Sequence, residues 1–433
     1  MSGPDVIDRA FAEALDVADP LRHFRHRFLP FTGQDADELI YLDGNSLGRP
    51  PTAGADRLTE LVTGEWAGGL VRSWGVPSAS GRPAWIELPT TVGDLLGATL
   101  LGAAAGQVVI CDSTTVNLYK LAAAALDARP SRRTILTDAA NFPTDRYVLQ
   151  GLAAARGLQV EYVEAGAASG LSASDLATVL GGDTALVCLS HVDYRSAAIA
   201  DLAGITAAAH GAGAIVLWDL SHAVGSVPIG LDAAQVDLAV GCTYKYLDAG
   251  PGAPAFLYVR RDLQESLRQP IWGWFGQRDQ FAMGAAFDPA PSIDRFMTGT
   301  PDIVGTVMVE AGLTVLAEAG IDRLRSKAMA LTSYLVELSD SWLEPLGFEL
   351  ASPRDAALRG SHVSLRHQAA WQLCRALIDE HVVPDYREPD LVRCGLSALT
   401  TSFVDVHEAM RRLRDLTASG RYLDVETTRS RVT

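Results

Sequence analysis

Up to about residue 260, short apolar runs alternate with alanine-rich helical segments. Seven runs read as strands: Gln107–Cys111, Thr134–Thr137, Gln159–Val163, Thr184–Ser190, Ala214–Asp219, Leu238–Cys242 and Ala255–Val259. Helical stretches lie between several of them, at Asn117–Leu126, Asp145–Ala155, Ala173–Leu180 and Ile205–His210. Apolar strands alternating with helices predict an α/β fold, with a mostly parallel sheet covered on both faces. The pattern then changes. An irregular segment rich in Trp, Phe and Pro runs from Ile271 to Gly305 and reads as a functional loop region. Helices are expected at Val307–Ala319 and Asp322–Leu343, and mixed elements over Glu349–Leu416 predict a smaller α+β C-terminal domain. The polar tail after Tyr422 reads as frayed. These shifts divide the chain into an N-terminal arm (1–55), a large domain (56–305) and a small domain (306–433).

Composition narrows the class. A chain of 433 residues with 48% hydrophobic content is long enough for a large core and two domains. The 36 Lys+Arg against 52 Asp+Glu give a formal charge of −16, which argues against nucleic acid and anionic membrane surfaces as partners. The apolar stretch Leu95–Cys111 is broken by Gly97, Thr99, Gly102, Gly106 and Gln107, so it reads as a buried helix and strand rather than a membrane span. The N-terminus is acidic and lacks the basic start and apolar core of a signal peptide. The five cysteines (Cys111, Cys188, Cys242, Cys374, Cys394) form no CxxC and no zinc spacing. They predict no metal site and a reducing, cytoplasmic setting.

The candidate chemistry gathers where strands end. One apolar run ends in Asp219, followed by Ser221 and His222; another ends at Tyr244-Lys245. An amine and a carboxylate at the carboxyl edge of a sheet suit pyridoxal phosphate, which needs one to hold its aldehyde and the other to keep its ring nitrogen protonated. Taken singly, each is as well explained as a solvated lysine or a turn-forming aspartate. Asp112-Ser113-Thr114-Thr115 opens a helix, a position that binds phosphate or simply caps the helix. No GxGxxG or P-loop accompanies it, which disfavours a dinucleotide. In Asn141-Phe142-Pro143-Thr144-Asp145, Phe142 is placed to stack on a flat ring and Asp145 to bond to it; a proline turn with an aspartate cap explains the segment equally well. His191–Ser196 is a polar cluster suited to orienting a ligand or to forming a surface loop. Arg393, inside the apolar strand Leu391–Leu396, needs an anion if buried: a substrate carboxylate or an acidic neighbour.

Taken in order, these residues resemble the kynureninases, within the fold-type I (aspartate aminotransferase-like) pyridoxal-phosphate enzymes. The matching motifs are Tyr41-Leu42-Asp43-Gly44-Asn45-Ser46-Leu47-Gly48, Thr115-Val116-Asn117-Leu118, Phe142-Pro143-Thr144-Asp145, Asp219-Leu220-Ser221-His222, Tyr244-Lys245-Tyr246-Leu247, Gly273-Trp274-Phe275-Gly276 and Gly299-Thr300-Pro301. The resemblance implies that Lys245 forms the Schiff base, that Asp219 pairs with the pyridinium nitrogen, and that Phe142 stacks with Asp145 nearby. It implies that Thr114, Thr115 and Tyr244 hold the phosphate and that His222 completes the pocket. Trp274 and Thr300 would reach the phosphate of a neighbouring subunit in a homodimer. Arg393 would grip the substrate carboxylate, with Asn45 and Ser46 beside the substrate. The implied reaction is hydrolytic Cβ–Cγ cleavage of L-kynurenine or 3-hydroxykynurenine to anthranilate or 3-hydroxyanthranilate and L-alanine, with Tyr244 as acid. A transferase, a cysteine desulfurase and an enzyme for a ring-modified kynurenine are the neighbouring readings. His222 and Tyr244 stand where desulfurases typically carry Gln and His. Departures from the family pattern fall at Gln277, Asp248, Asp193, Ala197 and Ala398–Phe403.

Overall fold

The computed structural model describes residues 5–33, 35–164 and 169–426. After a short N-terminal strand, β1 (Ile40–Tyr41), come the strands of the central sheet. They are β2 (Val108–Ile110), β3 (Thr134–Asp138), β4 (Gln159–Val163), β5 (Thr184–Ser190), β6 (Ile215–Asp219), β7 (Leu238–Gly241) and β8 (Phe256–Val259). Each lies within one residue of a predicted run. Their order is β2-β8-β7-β6-β5-β3-β4. Neighbours from β7 through β4 are parallel, and β8 alone runs antiparallel to both of its neighbours. Helices Thr114–Asp127, Pro143–Arg156 and Leu202–Gly211 connect the strands. The last begins earlier than its periodicity suggested, because the Asp201 side chain caps it by accepting from Gly204 N at 2.9 Å. The expected helix at Ala173–Leu180 is only Ala173–Leu176.

A second sheet is antiparallel, with order β12-β13-β10-β9. Its strands are β9 (Glu349–Leu350), β10 (His362–Arg366), β12 (Asp385–Arg387) and β13 (Leu391–Gly395); β11 (Val382–Val383) instead pairs with β1. The small α+β unit is therefore stitched to the N-terminal arm. Among the described residues three cores follow the two sheets, one on each face of the large sheet and one at the small sheet. Helix Ile303–Ala319, expected to open the small domain, packs Val307, Val309, Leu313, Val315 and Leu316 into the core of the large sheet. The core of the small sheet gathers from Leu331 onward and takes in Ala12, Ile40 and Leu42 from the arm. Of the polar tail, Arg421–Asp424 forms a 3-10 turn and Val425 O accepts from Gln372 Nε2 at 3.0 Å; residues 427–433 lie outside the described residues. No single helix among the described residues is long and apolar enough to cross a membrane.

The backbone packs closely where the arm and the helix of the second half meet the loop after β7. Gly48 N donates to Tyr244 O at 2.8 Å. A Cβ at Gly312 would stand 2.0 Å from Leu247 O, so only glycine lets helix Ile303–Ala319 lie against the segment that carries Lys245. Gly312→Ala is expected to destabilise the fold by about 1–3 kcal/mol or more, the usual range for overpacking. A thermal melt at the wild-type midpoint would remove this account.

Candidate active site

The sheet register brings the site together. β5 and β6 pair Ser190 with Asp219, and β6 and β7 pair Asp219 with Val240, so the strands finish at one edge. Past that edge, Asp219 Oδ1 accepts from Ser221 N at 2.7 Å, an aspartate turn that points His222 inward. Beyond β7, Thr243 Oγ1 donates to Pro254 O at 2.7 Å and Asp248 N to Lys245 O at 3.0 Å, which closes the loop holding Lys245. A cavity of about 160 Å³ is lined by Thr114, Thr115, Phe142, Asp145, Asp219, His222, Tyr244 and Lys245, among others. Eight of the ten predicted cofactor residues thus meet in one place.

Lys245 Nζ lies 2.9 Å from His222 Nε2. Burial first, and the Lys245 charge second, hold the His222 imidazole well below its usual range, so it is the neutral partner of the amine. Asp145 is buried beside Asp219. Desolvation, and then the Asp219 charge, push its carboxyl well above the usual carboxylate range. Two adjacent buried carboxyls cannot both ionise cheaply, and the raised member of the pair is Asp145. Phe142 meets Tyr194 edge-on at 5.2 Å, and Lys245 Nζ is 5.9 Å from the Phe142 ring centroid. Burial, and then Cys242, raise the Tyr244 phenol above its usual range, so it keeps its proton at neutral pH. Helix Thr114–Asp127 points its N-terminus at the cavity, with Ser113 as cap accepting from Val116 N at 3.4 Å.

Arg393 is buried in β13 and surrounded by partners. Nη2 donates to Ser46 Oγ at 3.0 Å and to Asp385, Nη1 to the Tyr194 carbonyl. The Asn45 amide, oriented by its neighbours, accepts from Arg393 Nε at 3.0 Å and donates to Asp43 Oδ1 at 3.3 Å. Asp385 also pairs with Arg387 at 2.8 Å. The acidic neighbour is therefore present, and Asn45 and Ser46 contact the arginine. Burial, and then Asp385, raise Asp43 to about 6. Trp274 and Thr300 are exposed and do not line the cavity.

Ser190, Ser221, Val192 and Tyr194 also line the pocket, although the sequence assigned them no individual role. The polar cluster after β5 divides: Val192 and Tyr194 face the cavity, while Asp193 Oδ1 folds the loop by accepting from Arg195 N and Ser196 N. The particular partner of Arg393 was also missed, because Asp385 reaches it only through the pairing of β12 with β13. Gln277, one of the departures, ties its own loop by accepting from Asp288 N at 2.7 Å. Asp248 sits at φ +56°, a left-handed conformation that Asn and Asp both tolerate.

The pocket fits pyridoxal phosphate. It offers an amine for the aldehyde, a carboxyl group for the ring nitrogen, a flat ring to stack, and hydroxyls at a helix N-terminus for the phosphate. Asp145 Oδ2 and His222 Nδ1 are buried there without a hydrogen-bond partner among the described residues, as polar atoms awaiting a ligand would be. Fold and pocket together define the class, a pyridoxal-phosphate enzyme of the aspartate aminotransferase type. A cysteine desulfurase from Escherichia coli shares the fold with TM-score 0.78 at 16% identity, over 92% of this chain and 98% of that one. So does a C-DES variant with glycine covalently linked to its PLP cofactor, with TM-score 0.74 at 19% identity, over 90% of this chain and 99% of that one. Residues 324–413 match the kynureninase C-terminal domain model. The kynureninase of Burkholderia pseudomallei (strain 1106a) is 42% identical over 414 residues, 94% of this chain and 95% of that protein. The chain belongs to the kynureninase family.

Burial raises the Asp248 carboxyl well above its ordinary 3.8, against the opposing Arg49 backbone N–H and charge. A carboxyl with a raised folded pKa contributes stability below its unfolded pKa, and that contribution is lost as pH rises toward the folded value. Asp248→Asn is therefore expected to raise the melting temperature, by an amount that grows from about pH 4 toward neutrality. A gain independent of pH would refute the assignment.

Proposed function

We propose that the chain hydrolyses the Cβ–Cγ bond of L-kynurenine or 3-hydroxykynurenine, releasing an anthranilate-type acid and L-alanine. The observation that carries this reading is the single cavity holding Lys245, His222, Asp219, Asp145, Phe142 and Tyr244 in a chain of this family. Bound pyridoxal phosphate supplies an electron sink for charge developing on the substrate's carbon skeleton. Lys245 would hold it covalently, and its freed amine would serve as the base at Cα, with neutral His222 at hydrogen-bond distance. Asp219 would face the ring nitrogen, with protonated Asp145 beside it. Thr114 and Thr115 would hold the phosphate, and Phe142 would stack on the ring. Tyr244, protonated at neutral pH, delivers a proton to the departing β-carbon.

Arg393 is read as the cation for the substrate α-carboxylate. Asp385 and Ser46 occupy Nη2, whereas the only acceptor for Nη1 among the described residues is the Tyr194 carbonyl, which leaves one N–H. We read the chain as a homodimer in which Trp274 and Thr300 reach the partner's phosphate; their exposure, with Trp272 and Phe281 nearby, supports this. Five free, buried thiols support a reducing, cytoplasmic setting. They also count against a desulfurase, which needs a reactive cysteine: burial raises every one of these thiols. Packing supports a division between large and small domains within helix Ile321–Leu338.

Two measurements test the reading. Protein reconstituted with pyridoxal phosphate is expected to show a long-wavelength absorbance band that Lys245→Ala abolishes, and to release an anthranilate-type acid from L-kynurenine or 3-hydroxykynurenine; no such product from either sinks the proposal. Arg393→Ala is expected to raise KM for the amino acid by about a hundredfold or more, the loss of a buried charge-assisted contact. An unchanged KM would reassign Arg393 to a purely structural ion pair.

A further inference from the structure

Lys120 is fully buried in helix Thr114–Asp127, and the reaction uses it for nothing. All three of its hydrogens find acceptors: Asp112 Oδ2 at 2.6 Å, Phe296 O at 2.7 Å and Cys111 Sγ at 3.7 Å. The other carboxylate oxygen of Asp112 accepts from Thr298 Oγ1 at 2.9 Å. Asp112 stands at φ +51°, a left-handed conformation that aspartate tolerates, one residue before the Ser113 cap. An ion pair whose ammonium is fully buried is a poor way to gain stability, because desolvation offsets the attraction. Buried charge and a left-handed backbone therefore converge on the turn between β2 and the helix that carries Thr114 and Thr115.

We propose that Lys120 and Asp112 are positioning residues that form an ionic clamp setting the phosphate-binding turn, and that Thr298 ties the 297–301 loop to the same clamp. The inference rests on the reading of Thr114 and Thr115 as phosphate ligands. The ammonium draws the Asp112 carboxylate inward, which holds the backbone in its left-handed turn. That turn aims Thr114, Thr115 and the free helix N–H groups at one point. Through Thr298, the clamp also fixes the start of the Gly299-Thr300 loop.

The test is the pyridoxal phosphate dissociation constant of the holoenzyme, measured by equilibrium dialysis with absorbance detection, beside the amino-acid KM at saturating cofactor. Asp112→Asn keeps a residue that tolerates the left-handed turn and removes only the charge; Thr298→Val removes only the tie. Lys120→Met and Asp112→Asn are expected to weaken cofactor binding about tenfold and Thr298→Val about threefold, with KM for the amino acid within about twofold of wild type. If Lys120→Met does not fold, the other two variants decide. Cofactor affinity unchanged in the folded variants, or KM rising in step with its loss, overturns the proposal. Thr114→Val and Thr115→Val separate the two ideas. If they weaken cofactor binding while the clamp variants do not, the clamp falls and the phosphate reading stands; if neither set does, both fall.

Discussion

The site depends on how few charges can be buried together at the carboxyl edge of the central sheet. Asp145 and Asp219 are buried side by side, so the Asp145 carboxyl is held well above its usual range and keeps its proton. His222 is neutral for a related reason: burial and the adjacent Lys245 both oppose a second cation. The outcome is one amine facing a neutral imidazole, with a pair of carboxyls, one of them protonated, beside them. Each side chain takes its protonation state from its neighbours, and none can be exchanged without changing the others.

Backbone contacts hold that charge arrangement in register. The Lys245 loop is gripped on one side by the arm, through Gly48 N and Tyr244 O, and on the other by helix Ile303–Ala319 at Gly312. The arm in turn extends the small unit through the pairing of β1 with β11, and supplies Asn45 and Ser46 to Arg393. The arm, the large sheet and the small sheet therefore meet within one loop's reach of the reactive amine. A side chain at either glycine would displace Lys245 without touching its chemistry.

Six of the seven central strands were legible because each is buried on both faces and so reads as a mainly apolar run. The edge strand β4, largely exposed, was legible from its alternating Val160-Glu161-Tyr162-Val163. Asp219 and Lys245 were legible because polar residues that end such runs fall at the carboxyl edge, where these sheets bind ligands. The ordered motifs then distinguished one family among relatives of the same fold. Arg393 was only half legible. Its need for an anion followed from its place in an apolar strand, but Asp385 lies on a neighbouring strand whose pairing no local pattern discloses. Lys120 carried no signal at all, since a lysine in a helix normally faces solvent.

The chain alone determined the strand–helix alternation, the residues at the strand ends and the family to which they belong. These follow from local hydrophobic period and from residue type at turns. Tertiary structure decided which of those residues meet, and in what state of charge. It placed helix Ile303–Ala319 in the core of the large sheet, gave Arg393 an acidic neighbour, and turned Lys120 inward onto Asp112. The reason is physical: period and propensity act over a few residues, whereas burial, proton sharing and ion pairing depend on groups that only long-range packing brings together.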